Sequence, residues 1–198
     1  MAALIFATSN TGKIREVKSL LSTIPIQTLN DIMAICPPPV ENGKTFLENA
    51  RIKARQYFAC TGSPVIADDS GLVVPALNGR PGVYSSRYSG ENANDADNNA
   101  LLLQQMQTLE AGERAAYFEC VVVFKNAAFE KSFVGRCHGE IGKEPKGING
   151  FGYDPLFFVK EYGRTLAELT FAEKNSISHR AKALIRLEAF LIKRHIEY

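Results

Sequence analysis

The sequence predicts an α/β protein, and three observations carry that prediction. Short apolar runs rich in β-branched residues alternate with stretches whose apolar residues recur at helical spacing. The chain has 198 residues, 45% hydrophobic and 22% charged, which is enough to bury a sizeable core and is close to the globular average. One run, Val65-Ile66-Ala67-Asp68-Asp69-Ser70-Gly71-Leu72, carries a buried strand straight into two adjacent carboxylates. At this length a single domain over 1–198 is expected, built as one body or as two tightly joined lobes.

The totals narrow the function. A net charge of +2 gives no basic coat for nucleic acid. Cys36, Cys60, Cys120 and Cys137 form no Cys-x-x-Cys pair and read as buried free thiols in a reducing compartment. The apolar start lacks the basic region of a signal peptide, and no run approaches the ~18 apolar residues that span a bilayer. A cytoplasmic protein without a membrane or nucleic-acid partner is expected.

Taken in order, a first strand over 3–7 leads through Thr8, Ser9, Asn10, Thr11, Gly12 and Lys13 to an amphipathic helix over about 14–21. That loop is either an ordinary N-cap or a row of backbone N–H groups for a phosphate. It is not a Walker loop, because Ala7 and Ile14 stand where Gly and Ser or Thr are needed. A second strand is predicted near 26–29, then a stiff proline loop over 35–43. Thr45 and Glu48 form a capping box for a helix that ends near Cys60, with Lys53 and Arg55 read as solvated. The Asp68-Asp69-Ser70-Gly71 run reads two ways. It is a turn with Gly71 at φ > 0, or a strand end where paired carboxylates offer Mg2+ its hard oxygen ligands. Residues 77–90, with two arginines among glycines and serines, read as a mobile loop over an anionic ligand.

A helix follows over about 96–109; its start resembles a calcium loop but lacks the Gly and Glu that such a loop requires. Strands over 115–124 and 129–134 read as an antiparallel pair, with another strand over 137–141. Phe151, Gly152, Tyr153 and Asp154 then form either a turn with core aromatics or a place to stack a base and bond its edge, ahead of a short strand at 156–159. A last helix over 178–196 begins with His179 and Arg180, with Lys174 just before it.

Six motifs, in order, resemble one family. They are Thr8-Ser-Asn-Thr-Gly-Lys13, Thr45-Phe-Leu-Glu-Asn49, Ala67-Asp-Asp-Ser-Gly-Leu72, the run from Gly79 to Gly90, Gly150-Phe-Gly-Tyr-Asp-Pro155 and Ser178-His-Arg180. Together they are similar to the inosine and xanthosine triphosphate pyrophosphatases, which clear non-standard purine nucleotides. The resemblance implies a long mixed central sheet flanked by helices, two lobes with an active-site cleft between them, and a homodimer. It implies hydrolysis of ITP, dITP or XTP to the monophosphate and pyrophosphate with Mg2+.

By the same resemblance, Thr8, Ser9, Asn10, Thr11, Gly12 and Lys13 hold the triphosphate, and Ser70 contacts substrate. Asp69 is the catalytic carboxylate and a metal ligand, with Asp68 in support. Phe151, Gly152, Tyr153, Asp154, His179 and Arg180 embrace the base, and Lys174 contacts the nucleotide. One departure stands out. Where the family carries a metal-binding Glu this chain has Val40, so Glu41 takes that role or the metal has fewer protein ligands. That departure leaves open a nucleotide sensor without turnover, beside a pyrophosphatase for modified pyrimidine nucleotides.

Overall fold

The computed structural model describes residues 4–33 and 35–194. Its strands are β1 (Leu4–Phe6), β2 (Ile26–Thr28), β3 (Val65–Val73), β4 (Ala115–Lys125), β5 (Glu130–Ile141), β6 (Phe157–Val159) and β7 (Arg164–Thr165). Its helices are α1 (Thr11–Leu20), α2 (Phe46–Thr61), α3 (Asp95–Gln105), α4 (Phe171–Ile177) and α5 (His179–Lys193). The strands form one sheet in the order β2-β1-β3-β4-β5-β6-β7. β1 runs parallel to both β2 and β3, whereas β6 is antiparallel to β5 and β7, so the sheet is mixed. No described helix is long and apolar enough to cross a membrane.

The chain divides into two compact units, each with its own core. The first takes the described residues up to Asp69, with 120–135 and those from His179 onward. In it, Leu4, Phe6 and Ile66 alternate along their strands, as do Cys120, Val122 and Phe124 on β4. They pack against Val17 and Leu21 at α1 and against Ala183, Leu184, Leu187 and Leu191 of α5. The second takes 70–119 and 136–178. Its core gathers Leu72, Leu102, Met106, Phe118, Ile141 and Phe157, with the Phe118 and Phe157 rings 4.8 Å apart.

Several expectations need correction. Asp68 and Asp69 do not end a strand, because β3 runs unbroken from Val65 to Val73. Gly71 makes no left-handed turn. A Cβ there would lie 2.3 Å from Ser85 Oγ and 2.6 Å from the Gly82 carbonyl oxygen, so the glycine permits a close approach. The 77–90 segment is not open loop: Gly82–Arg87 within it forms a 3-10 turn. The strands expected at 129–134 and 137–141 are one, β5, and the Gly135 between them lets β5 pass the start of α5. A Cβ on Gly135 would meet the His179 carbonyl oxygen at 2.1 Å. α1 starts three residues early, at Thr11, and β7 and α4 were not foreseen. The expected ends at Ala3 and Ile196 lie outside the described residues.

The cysteines also differ from expectation. Cys36 and Cys60 are joined by a disulfide across 24 residues of sequence, whereas Cys120 and Cys137 are buried free thiols. The spacing hid the pairing because the proline loop folds back along α2, where Gln56 donates to the Pro37 carbonyl at 2.6 Å.

Candidate active site

Consecutive residues on a strand point to opposite faces, and β3 uses this to separate its two carboxylates. Asp68 meets α1 and α5. Its carboxylate takes Lys13 Nζ at 3.0 Å and Arg180 Nη2 at 3.2 Å, and accepts from the Cys120 thiol at 3.7 Å. Arg180 also binds Glu16 of α1. Burial opposes ionisation of Asp68, but Lys13, Arg180 and Lys53 outweigh it and hold the carboxyl well below the usual range.

Asp69 meets α2 instead. Lys53 Nζ donates to its Oδ1 at 3.2 Å and Asn49 Nδ2 to its Oδ2 at 3.2 Å. The Lys53 ammonium also reaches Glu41 Oε2 at 2.7 Å, and Gly43 N–H fixes Asn49 by donating to Oδ1 at 2.8 Å. Here burial prevails: it pushes the Asp69 pKa up, against Lys53 and Lys13 and with the help of Glu41 and Asp68. The charge on Lys53 is opposed by its own burial and restored by Asp69, Asp68 and Glu41, which raise its pKa.

The loop at 8–13 is the start of α1. Asn10 caps it, accepting from Lys13 N–H at 2.9 Å, and Thr8 Oγ1 accepts from Asn10 N–H at 3.2 Å. The helices α2, α3 and α4 each place a carboxylate at the third position of a capping box: Glu48, Asp97 and Glu173. At that position α1 has Lys13, with no acidic residue in its first turn. Its exposed N-terminus therefore keeps the positive end of the helix dipole unopposed. Capping is built into these six residues, and the exposed helix end they form is of a kind that suits an anion.

In the second unit, Asp154 is buried and holds Lys174 Nζ at 2.6 Å while accepting from Phe151 N–H at 2.9 Å. Lys174 Nζ lies 4.7 Å from the centroid of the Phe151 ring. One face of that half-buried ring is thus occupied by a cation. Tyr153 donates its hydroxyl to the Ser85 carbonyl at 2.9 Å. Gly150 makes room for the turn, since a Cβ there would lie 2.0 Å from Asp154 Oδ2.

The expected residues fall in two groups. Lys13, Glu41, Asp68, Asp69, His179 and Arg180 belong to the first unit; Ser70, Phe151, Gly152, Tyr153, Asp154 and Lys174 belong to the second. Two of them are already engaged within the protein. Arg180, 1% exposed, turns its guanidinium onto Asp68 and Glu16. Asp154 holds Lys174 and the Phe151 amide, and so shapes the turn.

Lys53 is buried against two carboxylates rather than solvated, and with Asn49 it was missed. The signal was present: 49 and 53 fall four apart on the stripe that also carries Phe46, Ala50 and Tyr57. Polar residues on a buried stripe need partners. Glu16, beside buried Val17 on α1, carried the same signal.

The donor set bears on a divalent cation. Asp69 and Glu41 already converge on one cation, the Lys53 ammonium, and their hard oxygens suit Mg2+. Asp68 fits less well, because two cations engage it and it faces away from Asp69. Among the described residues no group of three or more His, Cys, Asp and Glu is arranged to hold a metal. A site with two carboxylates still matches the way Mg2+ is held beside substrate phosphates.

The Ham1 family profile matches residues 4–190. The chain is 48% identical over 193 residues to a dITP/XTP pyrophosphatase of Geobacter sulfurreducens, covering 96% of this chain and 97% of that one. It is 47% identical over 191 residues to a dITP/XTP pyrophosphatase of Haemophilus influenzae, covering 95% and 98%. Among solved structures, a HAM1 protein from Coxiella burnetii superposes with a TM-score of 0.88 at 41% identity, over 98% of this chain and all of that one. The Staphylococcus aureus Ham1 protein gives 0.87 at 38% identity, over 98% and 100%.

Proposed function

The chain belongs to the Ham1 family, and from that membership we propose its reaction: hydrolysis of the non-standard purine nucleotides ITP, dITP and XTP to the monophosphate and pyrophosphate. The observation that carries the mechanism is Asp69, a buried carboxylate of raised pKa gripped by Lys53 and Asn49 beside Glu41. A carboxylate whose pKa burial raises is a better acceptor for the proton of an attacking water than an ordinary one. Asp69 takes that proton as the water attacks the α-phosphorus. Lys53 and Asn49 hold the acceptor still, so its lone pair is aimed before substrate arrives.

Thr8, Ser9, Asn10, Thr11, Gly12 and Lys13 bind the triphosphate, with backbone N–H groups of the uncompensated α1 N-terminus as donors. Mg2+ is the proposed cofactor, held by Asp69 and Glu41; it supplies positive charge against the charge that spreads over the phosphoryl oxygens. Phe151 stacks the purine on the face away from Lys174, whose ammonium holds the ring from the other side. Ser70 and His179 contact substrate. The protein is a homodimer of the cytoplasm, where its nucleotide substrates are made; light scattering on the purified chain tests the dimer.

Pyrophosphate release from a panel of ITP, XTP, ATP, GTP and modified pyrimidine triphosphates, with Mg2+ and with EDTA, tests this reading. Release from ITP and XTP that stops in EDTA is expected. Tight ITP binding without release would favour a sensor, and release mainly from pyrimidines would favour the pyrimidine enzyme.

A further inference from the structure

We propose that Asp95 and Asn99 of α3 are positioning residues that clamp Gly152 and so set the plane of the Phe151 ring; the proposal rests on the reading that Phe151 stacks the substrate base. Gly152 N–H donates to Asp95 Oδ2 at 2.6 Å, and Asn99 Nδ2 donates to the Gly152 carbonyl at 3.0 Å. Two side chains one helical turn apart therefore grip both polar groups of one peptide residue.

The segment they grip needs gripping. Phe151 sits between Gly150 at φ +79° and Gly152 at φ +63°, conformations that only glycine adopts at little cost. A Gly-Phe-Gly segment is the kind of backbone that samples many states unless something outside it intervenes. Inside the turn, Phe151 N–H donates to the Asp154 carboxylate and Asp154 N–H donates to the Phe151 carbonyl at 3.3 Å, which restrains the backbone on the Phe151 side of Gly152. The clamp restrains the side of Phe151 that those bonds leave unheld.

Neither side chain is one of the caps of α3, although Asp95 adds negative charge to its first turn. Its start is capped by Asn94 and Asp97, which exchange both bonds of a capping box. Asn98 has a different task, accepting from Ser89 N–H at 2.9 Å and donating to the Ser86 carbonyl at 3.2 Å. Adjacent asparagines thus tie α3 to the 82–90 segment and to the Phe151 turn. Tyr153, bonded to the Ser85 carbonyl, joins those two segments directly. The frame holds the aromatic platform before a ligand arrives, which removes an ordering cost from binding.

The test measures product inhibition of ITP hydrolysis by inosine monophosphate and by inorganic pyrophosphate, in Asn99→Ala, Asp95→Ala, Asp95→Asn and Phe151→Ala. Loss of one such hydrogen bond should weaken inosine monophosphate roughly two- to tenfold in each of Asn99→Ala and Asp95→Ala. Pyrophosphate, which has no base, should inhibit as in the parent. Asp95→Asn keeps an acceptor for Gly152 N–H and should restore inosine monophosphate binding. Equal weakening of both inhibitors, or an Asp95→Asn variant as impaired as Asp95→Ala, would overturn the clamp. So would unchanged inosine monophosphate inhibition in both alanine variants while Phe151→Ala weakens it. If Phe151→Ala itself changes nothing, the stacking reading and the clamp fall together.

Discussion

Replacing Asp68 by Asn should damage the fold, and replacing its neighbour Asp69 by Asn should damage the chemistry. Asp68 is buried with two cations on its carboxylate, and one of them, Arg180, is itself buried. Asn removes the negative charge that sits, with Glu16, against the Arg180 guanidinium. Breaking a buried pair in this way costs about 3–5 kcal/mol. That is a large part of the ~5–15 kcal/mol by which a domain is stable. At ~2–4 °C per kcal/mol for a chain of this size, the melting temperature should fall by ~6–20 °C.

Linkage gives a second reading of the same variant. The folded pKa of Asp68 is depressed, so its stabilisation is full above the unfolded value near 3.9 and is lost as pH falls through the folded value. The gap between wild type and Asp68→Asn should therefore be widest at neutral pH and should narrow as pH falls from about 5 toward 2. Asp69 has the opposite sign. Its folded pKa is raised, so its charge costs stability as pH climbs through the folded value, and Asp69→Asn should lose less stability at neutral pH than Asp68→Asn does. Asp69→Asn should lose ~10²–10⁴-fold in kcat. Thermal melts by far-ultraviolet circular dichroism at several pH values, beside ITP turnover, check both halves. An Asp68→Asn protein as stable as wild type at neutral pH would refute the assignment of Asp68 to the fold.

Three further outcomes follow from the same geometry. Arg180→Ala should lower the melting temperature by an amount comparable to Asp68→Asn, and the double variant should lose less than the sum, because the two share one buried pair; additive losses would show that they act apart. Reduction of Cys36–Cys60 by a thiol should destabilise the first unit by about 3–4 kcal/mol on the loop-entropy scale for its 24-residue separation, read as a lower melting temperature in dithiothreitol that Cys60→Ser reproduces and reductant no longer shifts. Gly135→Ala forces a Cβ to within 2.1 Å of the His179 carbonyl oxygen and should destabilise by ~1–3 kcal/mol through displacement of α5, whereas Gly112→Ala, with open space around it, should not.

The sequence reading succeeded where the information is local. The capping box of Thr45 and Glu48 lies within four residues and forms as expected. The apolar stretch ahead of Asp68 and the long apolar run of β4 declare themselves by composition. What escaped depends on partners far along the chain. Asp-Asp looked like a strand end because two carboxylates in a sheet are costly alone. Lys13 lies 55 residues from Asp68 and Arg180 112 residues away, and nothing near 68 announces them. Gly71 read as a turn because a glycine that permits a close approach reads the same as one that turns the chain.

The alternation of one strand explains how Asp-Asp divides its labour. Had the two carboxylates shared a face, their mutual repulsion would have been stronger than the contribution Asp68 now makes to Asp69. On opposite faces of β3 they hydrogen-bond different cations, although Lys13 and Lys53 act on both, and they part in acidity: Asp68 is held well below the usual range, and burial raises Asp69. The buried guanidinium anchors the strand through Asp68 and so fixes the direction in which the next residue points. Asp69 can then remain poorly solvated, basic and rigid without unfolding the strand that carries it. That is the state a proton acceptor needs, and it comes from the residue before it.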